Sequence, residues 1–154
     1  MLLAPQEIRT FFVTTVTANR RRLFQVESNA NILLSVLEQN RTKNRLQIHA
    51  FVVMPDHIHL LLTPANDVSL EKAMQFIKGG FSFQLKNKSN VWQESFNEQR
   101  IKDATDYTHH KAYIEENPVR ARLATLRETY PFSSASQPHA IDQAPLHLRL
   151  DAKT

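Results

Sequence analysis

His57 and His59 sit two residues apart in the run Asp56-His57-Ile58-His59-Leu60-Leu61-Leu62. On an extended strand that spacing turns both imidazoles to one face, while Ile58, Leu60 and Leu62 turn to the other. The backbone separates them by roughly 6.6–6.8 Å. Two neutral imidazoles so placed can share one divalent ion and leave positions open for phosphate oxygens and water. A bare His-x-His also fits a solvent-facing strand, and short motifs match by chance. The setting favours the metal reading, because the pair opens a very apolar strand directly after Met54-Pro55-Asp56. His49, on the preceding strand, reads as a surface or packing residue rather than a third ligand.

Tyr113 and Asn117 lie four apart, and His109 lies four before Tyr113, so a helix presents all three on one face. A phenol is a weak nucleophile at neutral pH, since it titrates near about 10. It attacks a phosphodiester only with help from a base or a metal-polarised target. Asn117 offers a carbonyl oxygen to the same metal. The ordinary alternatives are a half-buried packing tyrosine and an asparagine that stops a helix before Pro118.

The elements that must position these groups are legible in outline. Phe11 to Thr17 reads as a first strand. Ser28 can cap a helix with the stripe Ile32, Leu33, Val36 and Leu37. Leu46 to Met54 reads as a second strand with Leu46, Ile48, Ala50, Val52 and Met54 on one face. Pro55-Asp56 then links it tightly to the histidine strand. Ser69 can cap a second helix through Leu70, Ala73, Phe76 and Ile77, which Gly79-Gly80, the chain's two glycines, should weaken or interrupt. A short strand is expected around Val91 to Phe96, with extended chain to Ile101. Asp103 or Thr105 starts a third helix, which Pro118 should end or kink at Asn117, with another helical turn or two from Val119 to Thr125. The order β-α-β-β-α-β-α predicts an α+β, ferredoxin-like antiparallel sheet with an appended C-terminal helix carrying Tyr113. The folded domain is expected over residues 1–132. The stretch 133–154, rich in Ser, Gln, Ala and Pro, is expected to be loosely ordered.

Composition sets the remaining limits. The 154 residues include no cysteine, which excludes thiolate metal sites and disulfides and suits a reducing cytoplasm. No stretch has the apolar length of a signal peptide or of a membrane helix, so no membrane partner is expected. The net charge of +4 permits nucleic acid without demanding it. Arg20, Arg21 and Arg22 form one basic block. Lys78, Lys86 and Lys88 flank Phe76, Phe81 and Phe83, and Arg120 and Arg122 follow Pro118.

Taken together, VVMPDHIHLLL (Val52 to Leu62) and YIEENPVRARL (Tyr113 to Leu123) resemble the two signatures of the single-tyrosine HUH transposases. WQESF (Trp92 to Phe96) and RTFFVTT (Arg9 to Thr15) are also similar to their counterparts in that family. The similarity spans roughly Arg9 to Ala135 and is greatest to the REP-associated tyrosine transposase branch. The resemblance implies Mg or Mn bound by His57 and His59, with Asn117 as a further ligand and Tyr113 as nucleophile. It also implies single-stranded or hairpin DNA as partner and a 5′-phosphotyrosine intermediate. Arg20, Arg21, Arg22, Lys78 and Arg120 are the candidate DNA contacts. Two positions depart from the pattern: Asp56 stands where the family commonly has Asn, and Arg122 where Gly is frequent.

Two rival readings remain open on the residues alone. One is a catalytically silent nucleic-acid-binding regulator on the same fold. The other is a metal hydrolase using His57 and His59 without a covalent tyrosine. The sequence also leaves open a monomer or a homodimer that exchanges its tyrosine helix.

Overall fold

A computed structural model describes residues 8–86 and 90–150. Lys88 of the sequence-level basic cluster lies outside the described residues. Strand β1 (Phe11–Val16) leads through two single-turn 3-10 segments into helix α1 (Glu27–Thr42). The hairpin β2 (Leu46–Met54) and β3 (His57–Pro64) follows, then α2 (Leu70–Leu85), β4 (Asn97–Arg100) and α3 (Ala104–Arg120). The sheet order is β2-β3-β1-β4, with every neighbouring pair antiparallel. This is the expected α+β, ferredoxin-like arrangement.

The sheet is buried on both faces, so it divides the molecule into two cores. Leu33, Val36 and Leu37 of α1 and Ala73, Met74, Ile77 and Phe81 of α2 pack on Phe11, Val13, Ile58, Leu60 and Leu62. On the other face, Tyr107 and Ile114 of α3 pack on Ala50, Val52, Met54 and Leu61. The alternation of β3 thus delivers apolar side chains to α1 and α2, and His57 and His59 to the face that α3 crosses.

Several sequence expectations are corrected. Strand β2 does not keep one period-two face, because its register against β3 shifts between Ile48 and Ala50. Leu46 and Ile48 join the first core, whereas Ala50, Val52 and Met54 join the second. A bulge of this kind sets an extra residue against the partner strand and re-aims the side chains beyond it. Ser28 lies inside the first turn of α1, whose N-cap is Val26, while Ser69 does cap α2 by accepting from the Lys72 amide.

Gly79-Gly80 does not break α2. A Cβ on Gly80 would approach Val36 Cγ1 to 3.1 Å, so the glycine lets α1 and α2 close on each other. The strand expected at Val91 to Phe96 is reduced to a single bridge between Thr17 and Trp92, and β4 forms later. Trp92 is instead a core residue against Phe24 and Phe81, with its indole donating to the Lys78 carbonyl.

Helix α3 passes through Pro118 and ends at Arg120. Pro118 sits in the last turn, where it forgoes only the bond to the Ile114 carbonyl. Leu123 then donates to Pro118 O and Arg122 to Val119 O, the paired bonds of a Schellman cap. Arg122 has φ 61°, the left-handed conformation that glycine adopts most cheaply.

Residues 133–150, where loose order is the expectation, make specific contacts. They lie along β2, an edge strand whose free N–H and C=O groups need partners. Val53 N donates to Phe132 O, Ser134 N to Phe51 O, and Asp142 N to Ile48 O. Ser133, Ser134 and Leu148 are buried. The polar composition that suggested disorder supplies the hydroxyls and carboxylate that pair this edge. The opposite edge, β4, is the polar and exposed sequence Asn-Glu-Gln-Arg.

Candidate active site

His57 and His59 emerge on the α3 face with ring centroids 4.8 Å apart and their planes nearly perpendicular. Each ring is anchored through Nδ1. His59 Nδ1 lies 2.7 Å from Thr14 Oγ1, its cross-strand neighbour, and His57 Nδ1 lies 2.6 Å from Asp56 Oδ1. Neither Nε2 has a hydrogen-bond partner among the described residues, so both remain available to a ligand. Burial, aided by the charges of His57 and Arg120, pushes His59 down to about 3. It is therefore neutral, the form that binds metal. At Asp56 burial acts upward, but hydrogen bonds from His57 and Arg20 outweigh it and hold the carboxyl below its usual range.

Helix α3 brings Tyr113 to this pair. Its ring centroid is 5.7 Å from that of His59, and the side of the helix leaves Tyr113 45% exposed. Phe12, Thr14, His59, His109, His110 and Tyr113 line a cleft of about 360 Å³. Arg120, two turns beyond Tyr113, lays its guanidinium 4.3 Å from the phenol centroid and donates to the Tyr113 carbonyl at 2.7 Å. Asn117 is half-buried one turn after Tyr113, outside the lining of that cleft. Among the described residues, no third histidine, cysteine or carboxylate joins the histidines as a metal-binding group. The donor set still suits a divalent ion: two neutral-capable imidazoles, each oriented through Nδ1 with Nε2 unengaged.

The basic candidates separate by what they touch. Arg20 pairs with Asp56 Oδ2 at 2.9 Å, beside His57. Arg21 donates to the Asn90 carbonyl at 2.6 Å and Arg22 projects into solvent. Lys78 donates to the carbonyls of Gln93 and Glu94 and lies 5.9 Å over Phe96, fastening that loop to α2. Its burial lowers its pKa. The fold thus brings Arg20 and Arg120 to the histidine–tyrosine site and engages Arg21 and Lys78 with loop carbonyls.

Phe12, Thr14 and His110 were not identified from sequence. Phe12 stacks on His59 at 5.5 Å, lies tilted against His110 at 4.8 Å and meets Tyr113 edge-on at 5.9 Å. The signal was the register: once β1 pairs with β3, Thr14 faces His59 and Phe12 shares its face. His49 is a packing residue, fully buried with Nε2 2.8 Å from Thr63 Oγ1.

Residues 9–117 match the family model described as Transposase IS200 like. A REP-associated tyrosine transposase of Escherichia coli K12 is 31% identical over 126 residues, covering 81% of this chain and 75% of the relative. A protein of Haemophilus influenzae is 30% identical over 138 residues, covering 80% of this chain and 78% of its own. A solved structure of a REP-associated tyrosine transposase bound to a REP hairpin superposes with TM-score 0.75 at 29% identity, covering 94% of this chain and 87% of that one. The chain belongs to the IS200-like transposase family, among the REP-associated tyrosine transposases. It is a tyrosine transposase by class. No described helix is long and apolar enough to cross a membrane.

Proposed function

We propose that this transposase cleaves and rejoins single-stranded DNA at hairpin-forming, REP-like palindromes through a 5′-phosphotyrosine on Tyr113. The observation that carries the reading is the exposed Tyr113 phenol beside His59 in one cleft, within a single chain. The hairpin comes from the relative whose structure contains one. The proposed site of action is the cytoplasm, with which a cysteine-free chain is compatible.

The step is an in-line transesterification. Tyr113 Oη attacks the scissile phosphorus, the tyrosine O–P bond forms, and the P–O3′ bond breaks. The phenolic proton is lost and the departing 3′ oxygen takes up a proton, leaving a free 3′-hydroxyl. Attack by another 3′-hydroxyl reverses the sequence, rejoins the strand and releases Tyr113. His57 and His59 would hold Mg or Mn through Nε2, with Asn117 as a further oxygen donor. That ion would polarise the phosphate and offset charge on its oxygens. Arg120 restrains the phenol ring by a cation–π contact worth about 0.5–2 kcal/mol. It also places positive charge where the phosphate arrives. Arg20 and the solvent-facing Arg22 are further candidate contacts to the DNA strand, whereas Arg21 and Lys78, also candidates by charge, would first have to leave their loop carbonyls. Phe12 walls the cleft and keeps both His59 and Tyr113 from turning.

Incubation with labelled single-stranded hairpins and Mn²⁺ tests this reading. The wild type should yield a nicked product and a covalent protein–DNA adduct, both lost with chelator and in His57→Ala and His59→Ala. Cleavage by either variant at the normal rate in chelator would remove the metal pair from the mechanism.

A further inference from the structure

The contacts of Asp56 exceed what its place in a turn requires. A two-residue link between Met54 and His57 needs only a residue that tolerates the turn, which Asn or Gly does equally well. Here both carboxylate oxygens are engaged separately: Oδ1 with His57 Nδ1 at 2.6 Å and Oδ2 with Arg20 Nη1 at 2.9 Å. The Asp56 carbonyl accepts from both Thr17 N and Thr17 Oγ1, at 3.0 and 3.1 Å. The loop that delivers Arg20 carries two consecutive left-handed residues, Asn19 at φ 56° and Arg20 at φ 51°. Non-glycine residues hold that conformation when the surroundings over-determine it. The surroundings here are the Thr17 contacts and the Asp56–Arg20 ion pair.

We propose that Asp56, braced by Arg20, is a positioning residue that fixes the His57 ring as its Nδ1–H tautomer with Nε2 turned out for a metal. The proposal rests on the reading of His57 and His59 as a metal pair. A carboxylate behind a ligating imidazole orients the ring and raises its basicity, and loss of such a partner typically weakens metal binding about 10–100-fold. His59 has a neutral hydroxyl, Thr14, in the corresponding place. The two rings are therefore held by unlike partners, a carboxylate behind His57 and a hydroxyl behind His59.

The full-length protein, free of DNA, is titrated with Mn²⁺ by calorimetry, and the histidine ring nitrogens are read by long-range ¹H–¹⁵N NMR before metal is added. In the wild type His57 should be protonated at Nδ1 and bare at Nε2. In Asp56→Ala the His57 proton should redistribute toward Nε2 and Mn²⁺ affinity should fall about 10–100-fold. The His59 ring should be unchanged. Asp56→Asn, which retains an acceptor and the turn, should lose less affinity, and Arg20→Gln less again. Unchanged His57 tautomer and unchanged Mn²⁺ affinity in Asp56→Ala overturn the proposal. If that variant does not fold, wild-type behaviour of Asp56→Asn in both readouts overturns it. A wild type that binds no Mn²⁺ while its His57 tautomer still answers to Asp56 overturns the metal reading alone.

Discussion

Lys111 of α3 donates its ammonium to the backbone carbonyl of His49, 3.0 Å away, where β2 shifts register against β3. The irregularity that re-aims β2 thus also holds the helix that carries the tyrosine. One turn later the Glu115 carboxylate is buried, 2.7 Å from Ser134 Oγ and 3.4 Å from Lys111 Nζ. Ser134 in turn is bonded through its backbone and hydroxyl to Phe51. Sheet edge, C-terminal segment and tyrosine helix are joined through these side chains.

Glu115→Ala should therefore cost roughly 1–3 kcal/mol of stability, because the buried Ser134 hydroxyl loses its shorter acceptor and keeps only the Phe51 carbonyl at 3.3 Å, while the Lys111 ammonium loses its carboxylate and keeps only the His49 carbonyl. Urea denaturation measures it. A variant as stable as the wild type would show that these contacts hold nothing.

His49 makes stability depend on acid. Burial pushes its pKa down to about 4, with Lys111 adding to the shift, while bonding to Asp142 opposes it. Unfolded histidine titrates near about 6.5. Below that value the unfolded chain takes up a proton that the folded one refuses, so stability is full above it and falls as the pH drops toward 4. The loss attributable to His49 is on the order of 3 kcal/mol by pH 4. His59, lowered by burial to about 3, acts in the same window. The difference between wild type and His49→Gln in denaturation at pH 7 and 4.5 isolates His49; parallel losses in both proteins refute the assignment.

The two adjacent glycines should respond differently. A Cβ on Gly79 meets nothing within 4 Å, so Gly79→Ala should gain about 0.5–1 kcal/mol from helix propensity. On Gly80 the same gain is offset by the approach to Val36 at 3.1 Å. Gly79→Ala should thus be the more stable of the two variants, and the reverse order would contradict the close packing of α1 on α2.

Arg122→Gly should raise stability by up to about 1 kcal/mol, since it relieves a left-handed residue at the end of α3. A thermal midpoint below that of the wild type would show that the arginine side chain contributes more than its backbone costs.

The sequence showed the strand order, the histidine face and the tyrosine helix because each rests on local spacing. What it concealed depended on distant chain. Strand β2 is buried on both faces, and His49, at the point where its register shifts, is itself buried, so no change from apolar to exposed polar residues marks the bulge. Gly80 and Pro118 carry breaker signals that packing against Val36 and a terminal position overrule. Ser133, Ser134 and Asp142 look like linker residues until the open edge of β2 is known. Thr14 and Phe12 acquire their places only through pairing of β1 with β3.

The central claim is that Tyr113 is the nucleophile, and the other two tyrosines give it a sharp contrast. Tyr107 is buried in the second core, and burial raises its pKa far above that of a free phenol. Tyr130 donates its hydroxyl to the Val53 carbonyl at 2.6 Å, and burial pushes it up to about 12. Tyr113 makes no side-chain hydrogen bond among the described residues and opens onto the cleft with His59. The most direct measurement is mass-spectrometric mapping of the peptide covalently joined to DNA after reaction with a single-stranded hairpin. One adduct is expected, a 5′-phosphate ester on Tyr113, absent from a folded and DNA-binding Tyr113→Phe. An adduct on Tyr107 or Tyr130, or cleavage by Tyr113→Phe at the wild-type rate, would contradict it.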